Sequence, residues 1–171
     1  PPVLASRWAL RLPFPFLLAT TLFFFASLFL GEALGFYERL WWWDLALHGS
    51  SAIGFGLTGF LFVFMLFDGD RFAAPPSAVA FITFCLAMTM GALWEVFEFS
   101  MDSFFGLNMQ KSALDDTMGD LIVNAVGAMM ASVTGYIYLR RNSAGFLGGA
   151  LAQFIRMNRR FYEKSKDRFK K

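Results

Sequence analysis

SAVAFITFCLAMTMGALWEVFEFSMD, residues 77–102, decides the fold. From Ser77 to Trp94 it carries no charge, and then Glu95, Glu98 and Asp102 follow within one short stretch. A helix needs about 20 mostly apolar residues to cross the hydrocarbon core of a bilayer. Residues 77–102 meet that length, and backbone groups in lipid must be satisfied internally, which dictates a helix. Three more segments read the same way: about 13–34, 44–67 and 116–139. The expected fold is all-α, a polytopic membrane bundle of four transmembrane helices within residues 1–141. A basic amphipathic cytoplasmic tail follows over residues 142–171.

Composition agrees. The chain has 171 residues, 57% hydrophobic and 19% aromatic, with 16% charged. A soluble domain carries roughly 25% charged residues. Mean hydropathy is +0.50. The first span is too long, and lacks a suitable small-residue cleavage site, to be a signal peptide. The single cysteine, Cys85, excludes an intrachain disulfide and a thiolate-cluster metal site.

Charge is uneven along the chain. Residues 140–171 hold ten Lys/Arg and two acids, whereas residues 1–139 hold five Lys/Arg and eleven acids. Arg7 and Arg11 precede the first span, and Arg140 and Arg141 follow the fourth. The positive-inside rule then places both termini in the cytoplasm of a bacterial inner membrane. The loops around Arg39 and Lys111 face outward, and the loop around Arg71 inward. Gly35–Arg39 parts the first two spans; Asp68-Gly69-Asp70 and Pro75-Pro76 part the second and third. Trp41, Trp42 and Trp43 suit the interfacial aromatic belt. In the tail, Phe146, Leu147, Leu151, Phe154, Ile155, Phe161 and Tyr162 recur at roughly helical spacing among basic residues. That pattern fits a helix on the anionic leaflet, with membrane lipids rather than nucleic acid as its partner.

With this topology the acids converge. Asp44 and His48 open the second span, Glu95, Glu98 and Asp102 close the third, and Asp115, Asp116 and Asp120 open the fourth. All meet on the outer side, as does Glu32. Asp44 and His48, four apart, share a helix face that Ser51 and Thr58 continue. Gly91, Glu95, Glu98 and Asp102 form one stripe. Asp116, Asp120 and Asn124 are successive i, i+4 neighbours, and Asn124 lies roughly 12 Å deeper than Asp116. Small residues permit close approach of the three helices: Gly127, Ala131 and Gly135 on the fourth, Ala87 and Gly91 on the third, Gly56 and Gly59 on the second.

Some of these acids suit plainer work. Asp44 is placed to cap the second span. Ser112-Ala113-Leu114-Asp115 has the form of a capping box, and Asp115 or Asp116 suits the fourth. Capping does not account for His48, Glu95, Glu98 or Asp120, which lie within their helices. A charge at a helix centre costs roughly 2.5–3.5 kcal/mol on insertion scales. Interhelical hydrogen bonding is the structural alternative for those four. The chemical reading is a divalent cation such as Zn, Mn or Fe, held by His48, Glu95, Glu98, Asp116 and Asp120 with Asp44 and Asn124 in support. The Glu-x-x-His pairs of ferritin-like di-iron sites are absent. So are a phosphate-binding glycine loop and a Gly-x-Ser-x-Gly elbow. No catalytic nucleophile stands out.

Asp44-x-x-x-His48, Glu95-x-x-Glu98 and Asp120-x-x-x-Asn124-x-x-Gly127 stand in the order found in VanZ-like bacterial membrane proteins. Trp94–Glu98 and Asp116–Asp120 resemble the YjdF-type inner-membrane group more closely still. The likeness covers about residues 40–135. VanZ-like chains usually have Lys where this chain has Leu45, and often Gln where it has Glu98. The resemblance implies a location and a site rather than a reaction. Alternatives to the cation site are an accessory subunit of a larger membrane complex, an enzyme acting on a lipid-linked envelope precursor, and a proton-coupled transporter, for which four spans are few unless the protein is a homo-oligomer.

Overall fold

Three helices cross one another closely and a fourth stands beside them. The computed structural model describes residues 11–67, 74–111, 114–141 and 145–158. The expectations resting on Arg7, the loop around Asp68–Arg71, Ser112, Ala113, Phe161, Tyr162 and the basic residues after 158 lie outside the described residues. Among the described residues the structure is all-α, and four helical segments are long and apolar enough to cross a membrane.

The first of these is α1, Phe14–Phe24, which runs on without a break into a π-helical segment, Phe25–Ala33. The wider π turn is closed by Leu34 N–H donating to the Phe29 carbonyl at 3.0 Å. Gly35 then reverses the chain at φ 67°, a left-handed conformation that glycine adopts without a Cβ penalty. A single helical turn, α2 (Phe36–Arg39), leads to α3, Trp43–Leu66. Helix α4 spans Pro76–Phe105, starting with proline in its first turn, where no N–H is needed. It continues three residues past the expected Asp102 and stops at Gly106, φ 65°. Helix α5, Leu114–Arg141, has Asp115 and Asp116 in its first turn and Arg140 and Arg141 in its last. Both placements complement the helix dipole. Helix α6, Gly145–Met157, closes the described chain.

The three-helix core is a small-residue contact. A Cβ added at Gly127 would lie 2.5 Å from the Gly49 carbonyl oxygen, and one at Gly56 would meet the Ala131 methyl. Gly135 leaves room for the Phe60 ring. The α5 ridge of Gly127, Ala131 and Gly135 therefore lies on α3. Ser132 Oγ donates to the Ala80 carbonyl of α4 at 2.7 Å, a bond between helices worth about 0.6–2 kcal/mol in lipid. Away from the acidic end, Phe60, Val63, Phe64, Val79, Tyr138 and Leu139 form the apolar core, and Leu151 of α6 completes it. The apolar side of α6 is thus partly spent on the bundle itself, while Phe146 is exposed.

The first span barely joins this core, and Phe14, Leu17, Leu22, Phe25 and Leu28 are all exposed. It is held at its ends. Tyr37 packs under Gly31 and hydrogen-bonds Ser27 Oγ at 3.0 Å. At the other end, Asn158 Oδ1 accepts from Arg11 N–H at 2.7 Å and Asn158 Nδ2 donates to the Arg11 carbonyl at 2.8 Å. That amide clamp brings the two described ends of the chain to one side, opposite the acids.

Candidate functional site

Three helix ends build the site, each for a local reason. The buried face of α3 runs His48, Ala52, Gly56, Gly59 and Phe60, which puts an imidazole at its upper end and small residues below. Ser51 and Thr58, expected to continue that face, instead donate to their own helix at the His48 and Gly54 carbonyls, and Thr58 is exposed. A helix repeat of 3.6 residues carries Ala52 and Gly56 along the His48 line and turns Thr58 away from it. On α4 the stripe of Gly91, Glu95 and Glu98 faces inward, with both glutamates buried. On α5, Asp120 and Asn124 are 2% and 1% exposed.

His48 sits in the middle. Its Nδ1 lies 3.5 Å from Glu95 Oε1. Its Nε2 lies 3.7 Å from Asp44 Oδ1 and 3.8 Å from Asp120 Oδ2. These gaps exceed the roughly 2.7–3.2 Å of a hydrogen bond. His48, Glu95, Glu98 and Asp120 each offer a ligand atom, and all four atoms lie within 4.8 Å of one another. Asp44, Asp116 and Asp120 form a second such set, so Asp120 belongs to both. Every sequence-expected ligand is therefore in one region: Asp116 and Asp44, the latter 3.7 Å from His48, belong to the outer set, which shares Asp120 with the inner set of His48, Glu95 and Glu98.

The surroundings leave these groups short of partners. Glu98 Oε1 accepts from Trp94 Nε1 at 3.0 Å. Neither Glu95 oxygen meets a donor in hydrogen-bonding geometry, although Thr117 lies beside it. Both polar atoms of the Asn124 amide are likewise buried and unpartnered. Buried polar groups in folded proteins are nearly always paired, so each exception needs a cause.

Two acids have structural duties. Asp102 accepts Met109 N–H at 2.7 Å and Gln110 N–H at 2.8 Å, bracing the loop after α4. Asp116 Oδ2 accepts Lys111 N–H at 3.2 Å. Asp115 and Glu32 are exposed, and Asp44 points its oxygen at His48 from the first turn of α3. Sequence reasoning missed the Trp94–Glu98 bond, for which the i, i+4 spacing was the available signal. It also missed Lys111 Nζ, 4.7 Å from the Tyr37 ring centroid. Burial raises the Tyr37 hydroxyl above its ordinary value; the Ser27 bond opposes this, and the Asp44, Glu32 and Glu98 carboxyls add to it.

The model of a family described as predicted membrane protein, DUF2238, matches residues 1–141. The chain belongs to that family. All the candidate site residues named above fall inside the DUF2238 match. A Thermotoga maritima relative, described as an uncharacterized protein, is 34% identical over 114 residues. That match covers 63% of this chain and 57% of the relative, so the chain spans little more than half the relative's length. No solved structure matches.

Proposed function

We propose that this DUF2238 chain is a VanZ-like, YjdF-type protein of the bacterial inner membrane whose outward end binds a divalent cation. His48, Glu95, Glu98 and Asp120 are the inner ligands. The observation that carries this is Glu95: buried, with both oxygens unpartnered, 3.5 Å from an imidazole nitrogen. A cation supplies the missing partner. The spacing supports it too. A tetrahedral ion with ligands at about 2.0–2.1 Å holds neighbouring donors about 3.3–3.4 Å apart, and an octahedral ion holds opposite donors about 4.2 Å apart. The separation of His48 Nδ1 from Glu95 Oε1, 3.5 Å, falls between those values. One imidazole among carboxylates suits Zn, Mn or Fe. Arg11, Arg140 and Arg141 at the opposite end favour a cytoplasmic location for both termini and an outward-opening site.

Metal analysis of the purified protein beside Glu98→Gln and His48→Ala tests this reading. Metal in the wild type, and its loss in both variants, is the expected result. Equal metal content in all three overturns it.

A second reading draws on the exposed first span. Its apolar surface is available to a partner span, which suits an accessory subunit of a larger membrane complex. Copurification in gentle detergent checks this, and a lone monomer in native lipid counts against it.

A further inference from the structure

We infer that the site holds two divalent cations bridged by the Asp120 carboxylate. This rests on the cation reading above and extends it. The inner ion takes His48, Glu95, Glu98 and Asp120, and the outer ion takes Asp44, Asp116 and Asp120.

Three observations lead here. The first is the shared residue. Asp120 is 2% exposed and contributes to both ligand sets, each with atoms within 4.8 Å of one another. A carboxylate has two oxygens and holds one cation with each. Paired metal ions in proteins stand about 3.5–4 Å apart, a distance one carboxylate spans.

The second is charge. Fully ionised, the five carboxylates of Asp44, Glu95, Glu98, Asp116 and Asp120 carry five negative charges around one neutral imidazole. One divalent cation leaves three of these uncompensated, and two leave one. Lys111, on the Tyr37 ring and within reach of Asp44's field, stands nearby to offset the remainder. Uncompensated charge at close range and partly out of water is strongly unfavourable.

The third is that two of the four side chains with buried, unpartnered polar atoms among the described residues, Glu95 and Asn124, belong to the site helices beside its ligands. Glu95 is 6% exposed with both oxygens unpartnered, and its Oε1 points at His48. Asn124, one turn below Asp120, is buried with neither amide atom paired. Glu95 Oε1 faces His48, where a bound ion gives it a partner, and the Asn124 amide packs against Gly91 of α4, one turn below Glu95.

The two positions differ in chemistry. The inner set includes a nitrogen donor and is fully buried. The outer set is all oxygen and half-buried, which favours a hard cation such as Mn or Mg and weaker binding.

The test uses the full chain in detergent, loaded with Mn²⁺, with metal counted per chain and the spin coupling read by electron paramagnetic resonance. Two Mn per chain and an exchange-coupled spectrum are expected. Asp116→Asn and Asp44→Asn, isosteric changes at half-buried positions, should each leave one Mn per chain and an uncoupled spectrum. A thermal melt of each variant confirms that the fold persists. One Mn per chain in the wild type, with an isolated-ion spectrum, overturns the second ion and leaves the proposed function standing. No bound Mn, Zn or Fe overturns both. Two uncoupled ions overturn the Asp120 bridge, and two coupled ions in both variants overturn the outer ligand assignment.

Discussion

Asn124 occupies the space that a side chain at position 91 would fill: a Cβ on Gly91 would lie 2.5 Å from Asn124 Nδ2 and 2.9 Å from its Cγ. Glycine on α4 and asparagine on α5 thus form one packed unit at the floor of the site. Gly91→Ala should displace the amide and part the helices locally. Overpacking of this kind costs about 1–3 kcal/mol. Thermal unfolding followed by tryptophan fluorescence reads the loss. Asn124→Ala in the same chain removes the clash, so the double variant should be less destabilised than the sum of the singles.

Asp102 should behave unlike its neighbours. Its two oxygens accept two backbone N–H groups. Asparagine keeps one acceptor and turns an amine towards the other donor, at about 1–3 kcal/mol. Asp102→Asn should speed amide exchange at Met109 and Gln110 and leave metal content unchanged. A fall in metal equal to that of Glu98→Gln would place Asp102 among the ligands.

Phe60 tests the opposite end. It is fully buried, stacks on Phe64 at 5.8 Å and meets Tyr138 edge-on at 6.0 Å. Phe60→Ala should cost about 3–5 kcal/mol through the cavity left behind. Metal uptake at low temperature, where the fold survives, should match the wild type. The comparison separates bundle stability from site chemistry.

Tyr37 carries the alkaline prediction. Burial raises its pKa, so folding favours the neutral phenol. Its contribution is fully present below the ordinary tyrosine value near 10 and is lost as pH climbs through the raised folded value. Ultraviolet difference titration should show a late tyrosine ionisation that Tyr37→Phe removes.

The four spans were legible because each carries its apolar run between polar ends, and their bounds shift by three residues at most. The convergence of His48, Glu95, Glu98 and Asp120 was legible for a similar reason: 3.6-residue periodicity fixes which side chains share a face. Other features depend on contacts that no single segment encodes. Asp102 looks like one more acid of the cluster until the returning loop supplies two amides to it. The π-helical half of the first span carries the Gly31–Tyr37 contact, which is made across a turn. That span is as apolar as the others, so hydropathy alone did not distinguish a helix of the core from one beside it.

The Arg11–Asn158 clamp and the Gly31–Tyr37 contact together make the first span a beam pinned at both ends. Little of its length is glued to the bundle, so bowing outward sacrifices little packing while the ends stay in place. Phe14, Leu17, Leu22, Phe25 and Leu28 line that free length, so the beam meets its surroundings with apolar side chains along most of its run.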